Sequence, residues 1–392
     1  MTDFKPLKPD TLLAHAGSHP DQHHGAVNPP VYRVSTVVFP TVAAMKEGDR
    51  HPFDHMRYGR TGTPTSFAFE EAVAALDGGK YAMATCSGQA AITTALSALL
   101  KAGDHALIAD SVYNPTRRFC SEHLARYGVE IDFYDPQIGG GIEALIKPNT
   151  KIVYTESPGS LTFEVQDIPA IAKAAHAKGA LVMLDNTWAT GLFFKAFEHG
   201  VDIVVQAATK FLCGHSDAML GVITTADEKL WLTIKHWMSY GGMSAGTEEV
   251  YLGLRGLRTL GVRLRQHQES GLTVARWLQE RPEVARVIHP ALPGSPSHDL
   301  WKRDFTGAGG LFSVIFDERY TEAQTDRFVD ALKLFKIGYS WGGANSLVMP
   351  YRIQHMRQNW PDKGTLVRFN VGLEDVQDLI GDIERALGKM NE

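Results

Sequence analysis

The sequence predicts an α/β protein with a mostly parallel central sheet, followed by a smaller α+β unit. Two observations carry this. Between residues 65 and 205 short continuous apolar runs alternate with helical patterns, the mark of a sheet covered on both faces. After about Thr247 the alternation gives way to long helical stretches and then to scattered strands and helices. A length of 392 residues, 44% hydrophobic and 21% charged, leaves room for two or three domains with ample core.

The first sixty residues are rich in His, Pro and Gly, as at His23-His24-Gly25 and Asn28-Pro29-Pro30. They read as an arm with little periodic structure of its own, a kind of segment that is often functional or subunit-bridging. Phe67, Phe69, Ala72, Val73 and Leu76 share one helical face, and Gly78-Gly79 ends that helix. Strands are expected over 81–85, 105–109, 129–134, 151–155, 180–184 and 201–205, with helices over 89–100, 116–126, 142–146 and 168–177. Residues 219–224 read as a further strand. Later, Leu252, Leu257, Leu260 and Leu264 mark long helices running toward Leu278. A Pro- and Gly-rich connection over 290–296 precedes strands over 310–316 and 365–371 and helices over 322–335 and 374–387. The expected division is an arm (1–60), a large domain (61–258) and a C-terminal α+β domain (259–392).

A net charge of −5 argues against nucleic acid or anionic lipid as a main partner. Cys86, Cys120 and Cys213 lie too far apart for a disulfide framework or a CxxC pair, which suits a reducing cytoplasm. Residues 1–13 have no signal-type apolar core, and no run of about 18 apolar residues exists to span a membrane. A cytoplasmic protein is expected.

Chemistry is expected first at Asp185, which closes the apolar run Ala180-Leu181-Val182-Met183-Leu184. Open α/β sheets place ligands at such strand ends, although a loop or capping Asp reads the same way. Lys210 follows the next strand. A desolvated lysine loses its proton readily and becomes a nucleophile, whereas a snorkelling surface lysine is the plainer alternative. Together, one carboxylate and one lysine at successive strand ends suit pyridoxal phosphate: the lysine holds the aldehyde and the carboxylate keeps the ring nitrogen protonated. Ser87-Gly88-Gln89, between a strand and a helix start, offers backbone N–H groups for the phosphate; an ordinary Ser N-cap would look identical.

Three lookalikes are set aside. Gly139, Gly141 and Ala144 fit a dinucleotide fingerprint, but no acidic residue about 20 positions on closes a strand. Gly214-His215-Ser216-Asp217-Ala218 nearly matches a nucleophile elbow, but a strand follows where a helix is needed. His23 and His24 are adjacent, not at metal-ligand spacing, and no metal is expected.

Ala208-Thr209-Lys210-Phe211-Leu212-Cys213-Gly214-His215-Ser216-Asp217 is similar to the lysine signature of the Cys/Met-metabolism family of pyridoxal-phosphate enzymes, and Asp185-Asn186-Thr187-Trp188 resembles its ring-nitrogen motif. The resemblance covers nearly the whole chain and implies an aspartate-aminotransferase-like (fold type I) architecture. It implies that Gly88, Gln89 and Thr209 bind the phosphate. Tyr58 and Arg60 would reach it from a neighbouring subunit, within a homotetramer built of dimers. Tyr113 would stack on the ring, with Lys210, Tyr113 and Tyr58 sharing the catalysis. Arg368 would fork onto the substrate α-carboxylate, a strand-edge surface arginine being the alternative. Ser340 and Trp341, in Tyr339-Ser340-Trp341-Gly342-Gly343, resemble the substrate-binding stretch of the family's β-eliminating branch. Trp188 also looks like that branch, and Ser160 stands where γ-acting members carry Asn. The implied activity is β-elimination on L-cystathionine or other cysteine S-conjugates, in methionine biosynthesis. The rivals are a γ-acting relative, a cofactor-free hydrolase using Ser216, and a non-catalytic scaffold. Ala207 stands where many members carry a phosphate-binding serine, a missing contact worth about 1 kcal/mol.

Overall fold

The computed structural model describes residues 7–353, 357 and 360–390. Residues 1–6 of the expected arm, and 354–356, 358–359 and 391–392 of the expected C-terminal unit, lie outside the described residues.

Seven strands form the larger sheet: β1 (Tyr81–Thr85), β2 (His105–Ala109), β3 (Glu130–Tyr134), β4 (Thr150–Glu156), β5 (Leu181–Asp185), β6 (Ile203–Gln206) and β7 (Gly221–Thr225), in the order β1-β7-β6-β5-β4-β2-β3. β2 to β6 run parallel, and β7 is antiparallel to both of its neighbours, β1 and β6. The apolar runs are continuous because helices cover both faces: every residue of β2, β6 and β7 is buried. The helix Pro64–Asp77 starts at a capping box of Thr63 and Ser66 and stops at Gly78, whose φ of 79° is the left-handed C-cap that glycine adopts without strain. Its buried Phe69, Val73 and Leu76 each contribute roughly 1.5–3 kcal/mol by leaving water.

Five strands form the smaller sheet: β8 (Val284–Ile288), β9 (Leu311–Phe316), β10 (Lys336–Ile337), β11 (Leu347–Tyr351) and β12 (Leu366–Asn370), in the order β10-β11-β12-β9-β8. The sequence pattern marks β9 and β12 but not the other three. β8 is an edge strand with one exposed and two half-buried residues, and β10 has only two residues. β11 carries Pro350, which reads against a central strand. β10 pairs only with Leu347 and Val348, so Pro350 lies on an open edge where no N–H is needed.

The expected arm is more structured than its composition suggests. It holds short helices at Pro9–His15 and Val42–Gly48, and Arg258 donates to the carbonyls of Leu13 and Ala16 at 2.8 Å each, docking the arm's start on its own chain. The expected helix over 116–126 is also different. An α-helical turn at Asn114–Arg118 widens into a π-helical stretch at Phe119–Leu124 and tightens to 3₁₀ at Ala125–Tyr127. The expected helix over 142–146 is a 3₁₀ segment at Gly139–Leu145, and the one over 322–335 ends at Ala331. The helix Glu228–Gly241 lies outside the sequence expectations. Among the described residues, no helix is long and apolar enough to cross a membrane.

Candidate active site

The parallel strands of the larger sheet end together at Glu156, Asp185 and Gln206, with Glu156 and Asp185 in register across β4 and β5. Ligands of open α/β sheets bind outside such carboxyl ends. Three short links hold the ends rigid. Asp185 Oδ1 accepts from the Thr187 backbone N–H at 3.0 Å and from the Thr187 hydroxyl at 2.5 Å. Thr187 Oγ1 in turn accepts from the Ala207 backbone N–H at 2.9 Å. Thr187 therefore ties the carboxylate strand to the segment that carries Lys210.

That segment is folded by its own backbone. Lys210 N–H donates to the Ala207 carbonyl at 3.0 Å, and Gly214 N–H to the Lys210 carbonyl at 2.8 Å. The buried Arg263 guanidinium donates to the carbonyls of Phe211, Leu212 and Gly256, so the turn after Lys210 cannot open without stranding it. Lys210 Nζ donates to Ser340 Oγ at 2.5 Å and lies 5.4 Å from the Trp341 ring centroid. Ser340 holds the left-handed region, φ 71°, and its carbonyl accepts from Arg368 at 2.9 Å. The Trp341 ring meets Phe211 edge-on at 5.2 Å.

Arg368 is not on a sheet edge. It sits in β12, between β11 and β9, paired with Met349 and Ser313 and only 8% exposed. Its Nε is buried without a partner, and its guanidinium lies 5.4 Å from the Tyr351 ring centroid. Glu374 and Asp375, its ordinary candidate partners, are occupied elsewhere: Glu374 accepts from Ser346, and Asp375 caps the last helix. A buried arginine with a free N–H calls for an acceptor.

Burial dominates the electrostatics. It pulls the Lys210 amine down to about 8; Arg368 pushes the same way and Asp185 opposes. Burial pushes Asp185 up to about 6, against its Thr187 hydrogen bonds and the pull of Lys210. Tyr113 stands 46% exposed after β2, with its phenol pushed up by burial and then by Glu156. Lys210, Asp185, Tyr113, Ser340, Trp341 and Arg368 are thus gathered around one cleft.

The phosphate candidates lie nearby. Gly88 opens the helix Gly88–Leu99, and a side chain there would meet Ala207 Cβ at 2.4 Å, so only glycine lets this helix N-terminus approach the Lys210 segment. The Ser87 hydroxyl is used as the helix cap, accepting from Ala90 N–H at 3.0 Å. Gln89 Oε1 is buried without a partner. Thr209 Oγ1 donates to the Leu220 carbonyl at 3.1 Å and accepts from its N–H at 2.9 Å, which places it at the start of β7. Tyr58 and Arg60 stand apart: both are exposed, and Arg60 donates to the Ser239 hydroxyl at 2.9 Å. Among the described residues no recorded contact joins either to Lys210 or Asp185. His215 is turned toward the Cys213 carbonyl at 2.7 Å, not toward Ser216.

This donor set fits a phosphorylated pyridine aldehyde. A depressed lysine, a carboxylate with its recorded hydrogen bonds on one oxygen, and a helix N-terminus held close by glycine supply one group for each end of such a molecule. Sequence reasoning passed over Thr187, which stands in the quoted motif, and Glu156, which closes β4 beside Asp185.

Comparison with known proteins gives a consistent result. The model for "Cys/Met metabolism PLP-dependent enzyme" matches residues 10–388. The chain is 43% identical to cystathionine beta-lyase MetC of Escherichia coli, over 98% of this chain and 99% of that one. It is 44% identical to cystathionine beta-lyase of Salmonella typhimurium, over 97% and 98%. A cystathionine gamma-lyase of Dictyostelium discoideum is more distant, at 34% over 99% and 100%. The crystal structure of metB from Corynebacterium glutamicum superposes with a TM-score of 0.91 at 31% identity, covering 99% of this chain and 100% of that one.

Proposed function

Because the chain belongs to the Cys/Met-metabolism family of pyridoxal-phosphate-dependent enzymes, we propose that it is a carbon–sulfur lyase that works as a cystathionine β-lyase. The reaction cleaves the Cβ–S bond of L-cystathionine and consumes one water to give homocysteine, pyruvate and ammonia, a step in methionine biosynthesis. The observation that carries the reading is the Lys210–Ser340–Arg368 chain with Trp341 beside the amine, in a protein more similar to β-lyases than to the γ-lyase.

Bound at Lys210, pyridoxal phosphate supplies an electron sink for the charge left at Cα. Arg368 holds the substrate α-carboxylate, using the Nε donor that has no partner within the protein. Lys210 would hold the cofactor aldehyde and would serve as the base for the Cα proton. Burial and Arg368 favour the neutral form of this amine. Ser340 Oγ fixes the amine, and Trp341 walls the cleft beside it. Asp185 keeps its negative charge toward the ring nitrogen, oriented by Thr187. Tyr113 covers the ring face and steers protons. Gly88 and Gln89 hold the phosphate through the N–H groups of their helix start, and Thr209 joins them by turning its hydroxyl proton from the Leu220 carbonyl to the phosphate. Tyr58 and Arg60, on the arm 1–60, serve the site of a neighbouring subunit in a homotetramer, with Tyr58 sharing the proton transfers. Residues 61–258 form the cofactor domain and 259–392 the domain that brings Arg368, and the enzyme works in the cytoplasm.

Incubation with L-cystathionine and identification of the keto acid tests this reading. Pyruvate is expected; 2-oxobutyrate would move the chain to the γ-acting branch. Replacing Arg368 by Lys removes the forked donor while keeping the charge. A lost hydrogen bond to a charged group costs about 1.5–3 kcal/mol, so kcat/KM should fall roughly 10- to 150-fold, mainly through KM. An unchanged KM would remove Arg368 from the carboxylate site.

A further inference from the structure

Glu156 has no place in the mechanism above, yet it lies at its centre. It ends β4 in register with Asp185 on β5, so the two side chains leave the same face of neighbouring strands, about 4.8 Å apart in the pairing direction. Its Oε2 accepts the Tyr113 backbone N–H at 2.7 Å. One carboxyl therefore touches the segment that carries the stacking tyrosine and adjoins the carboxylate that faces the ring nitrogen.

We propose that Glu156 is a positioning residue of this site: it holds a proton as a neutral acid beside Asp185, so that the pair presents one negative charge to the ring nitrogen, and it anchors Tyr113 through the backbone. The proposal rests on the reading of the cleft as a pyridoxal-phosphate site.

The surrounding charges assign the proton. Lys210, on the turn after β6, favours the charge on Asp185. Two Thr187 donors do the same. Glu156 has only the Tyr113 N–H, against burial and the Asp185 charge, and both of these push its pKa well above the carboxylate range. Tyr154, on β4 two residues before Glu156, has its phenol raised by burial and by both carboxyls, so it stays neutral and supplies no counter-charge. Arg368 acts across the cleft on Tyr113 and Lys210. Two adjacent carboxyls with a single cation, lying on the Asp185 side of the pair, keep one proton, and it sits on Glu156.

The test uses three variants of the holoenzyme, reading the cofactor dissociation constant, the visible absorption of the bound cofactor between pH 6 and 9, and kcat and KM separately. Glu156→Gln is neutral and the same length; it keeps an acceptor for Tyr113 N–H and a donor for Asp185. Its cofactor dissociation constant is expected within threefold of the parent, with the same spectral pH dependence. Glu156→Ala and Glu156→Asp lose the reach to Tyr113. For both, cofactor affinity is expected to fall at least tenfold and kcat at least tenfold, with KM nearly unchanged because Arg368 is untouched. Glu156→Asp keeps the carboxyl and serves if the alanine variant does not fold. A glutamine variant as impaired as the other two would mean that Glu156 acts as an anion, overturning the shared proton. Parent-like behaviour in all three would overturn the positioning role. A parent protein that binds no pyridoxal phosphate would instead sink the reading of the cleft itself, and the inference with it.

Discussion

Replacing Lys210 by alanine is expected to abolish pyruvate formation from L-cystathionine and, in the same protein, the visible absorption of lysine-bound cofactor. In the proposed function the lysine has two tasks, attachment and proton removal, and one amine performs both. Loss of a positioned general base alone slows a reaction about 10²- to 10⁴-fold, and loss of the attachment point adds to that. The effect should not come from misfolding. Lys210 is only partly buried, and the bonds that shape its turn run through the backbone, from Lys210 N–H to Ala207 and from Gly214 N–H to Lys210. Arg263 still holds the carbonyls beyond it. What alanine removes is the contact with Ser340 Oγ and the amine over Trp341, both directed into the cleft. The melting temperature should stay near that of the parent while the spectrum and the keto acid disappear. Substantial turnover without added amine would end the assignment of Lys210.

What could be read in advance, and what could not, follows from the range of the interaction concerned. Asp185 and Lys210 stand out in the chain because each ends or follows an apolar run, and a strand end is a local property. The parallel sheet is legible for the same reason, since its strands are buried on both faces and read as continuous apolar segments. Arg368 is ambiguous along the chain: a single charge inside Leu366-Val367-Arg368-Phe369 fits an exposed edge as well as a buried site. Pairing on both sides, to β11 and β9, separates the two cases, and pairing is not written locally. Glu156 and Thr187 are harder still. Their importance comes from the register of β4 against β5 and from a hydrogen bond across to Ala207. β11 was hidden by Pro350, whose missing donor is harmless only because β10 stops short of it. The helix over 116–126 has the right apolar spacing, but its pitch changes at Phe119, a feature that spacing does not encode.

Asp185→Asn should be the other severe substitution, and it separates charge from shape. Asparagine has the size of aspartate and can keep an oxygen toward Thr187 N–H and the Thr187 hydroxyl. It cannot supply a negative charge, and its amide would present a donor to a ring nitrogen that must itself carry a proton. Losing one preorganised electrostatic partner of a transition state costs roughly 10²- to 10³-fold in kcat. The loss should fall on kcat, since Arg368, the proposed α-carboxylate partner, lies on the other sheet. Lys210 should also respond. Asp185 is the group that raises the lysine pKa, against burial and Arg368, so the amine of the cofactor-free Asp185→Asn variant should titrate below its parent value of about 8. Reactivity of Lys210 toward an amine-selective reagent, followed against pH, measures that shift in the absence of cofactor. A severe loss of kcat with an unmoved lysine titration would mean that Asp185 acts on the ring alone. A lowered titration together with a lost kcat is the expected result, because the same carboxylate steadies both cations of the site, the ring nitrogen directly and the lysine across the strand ends.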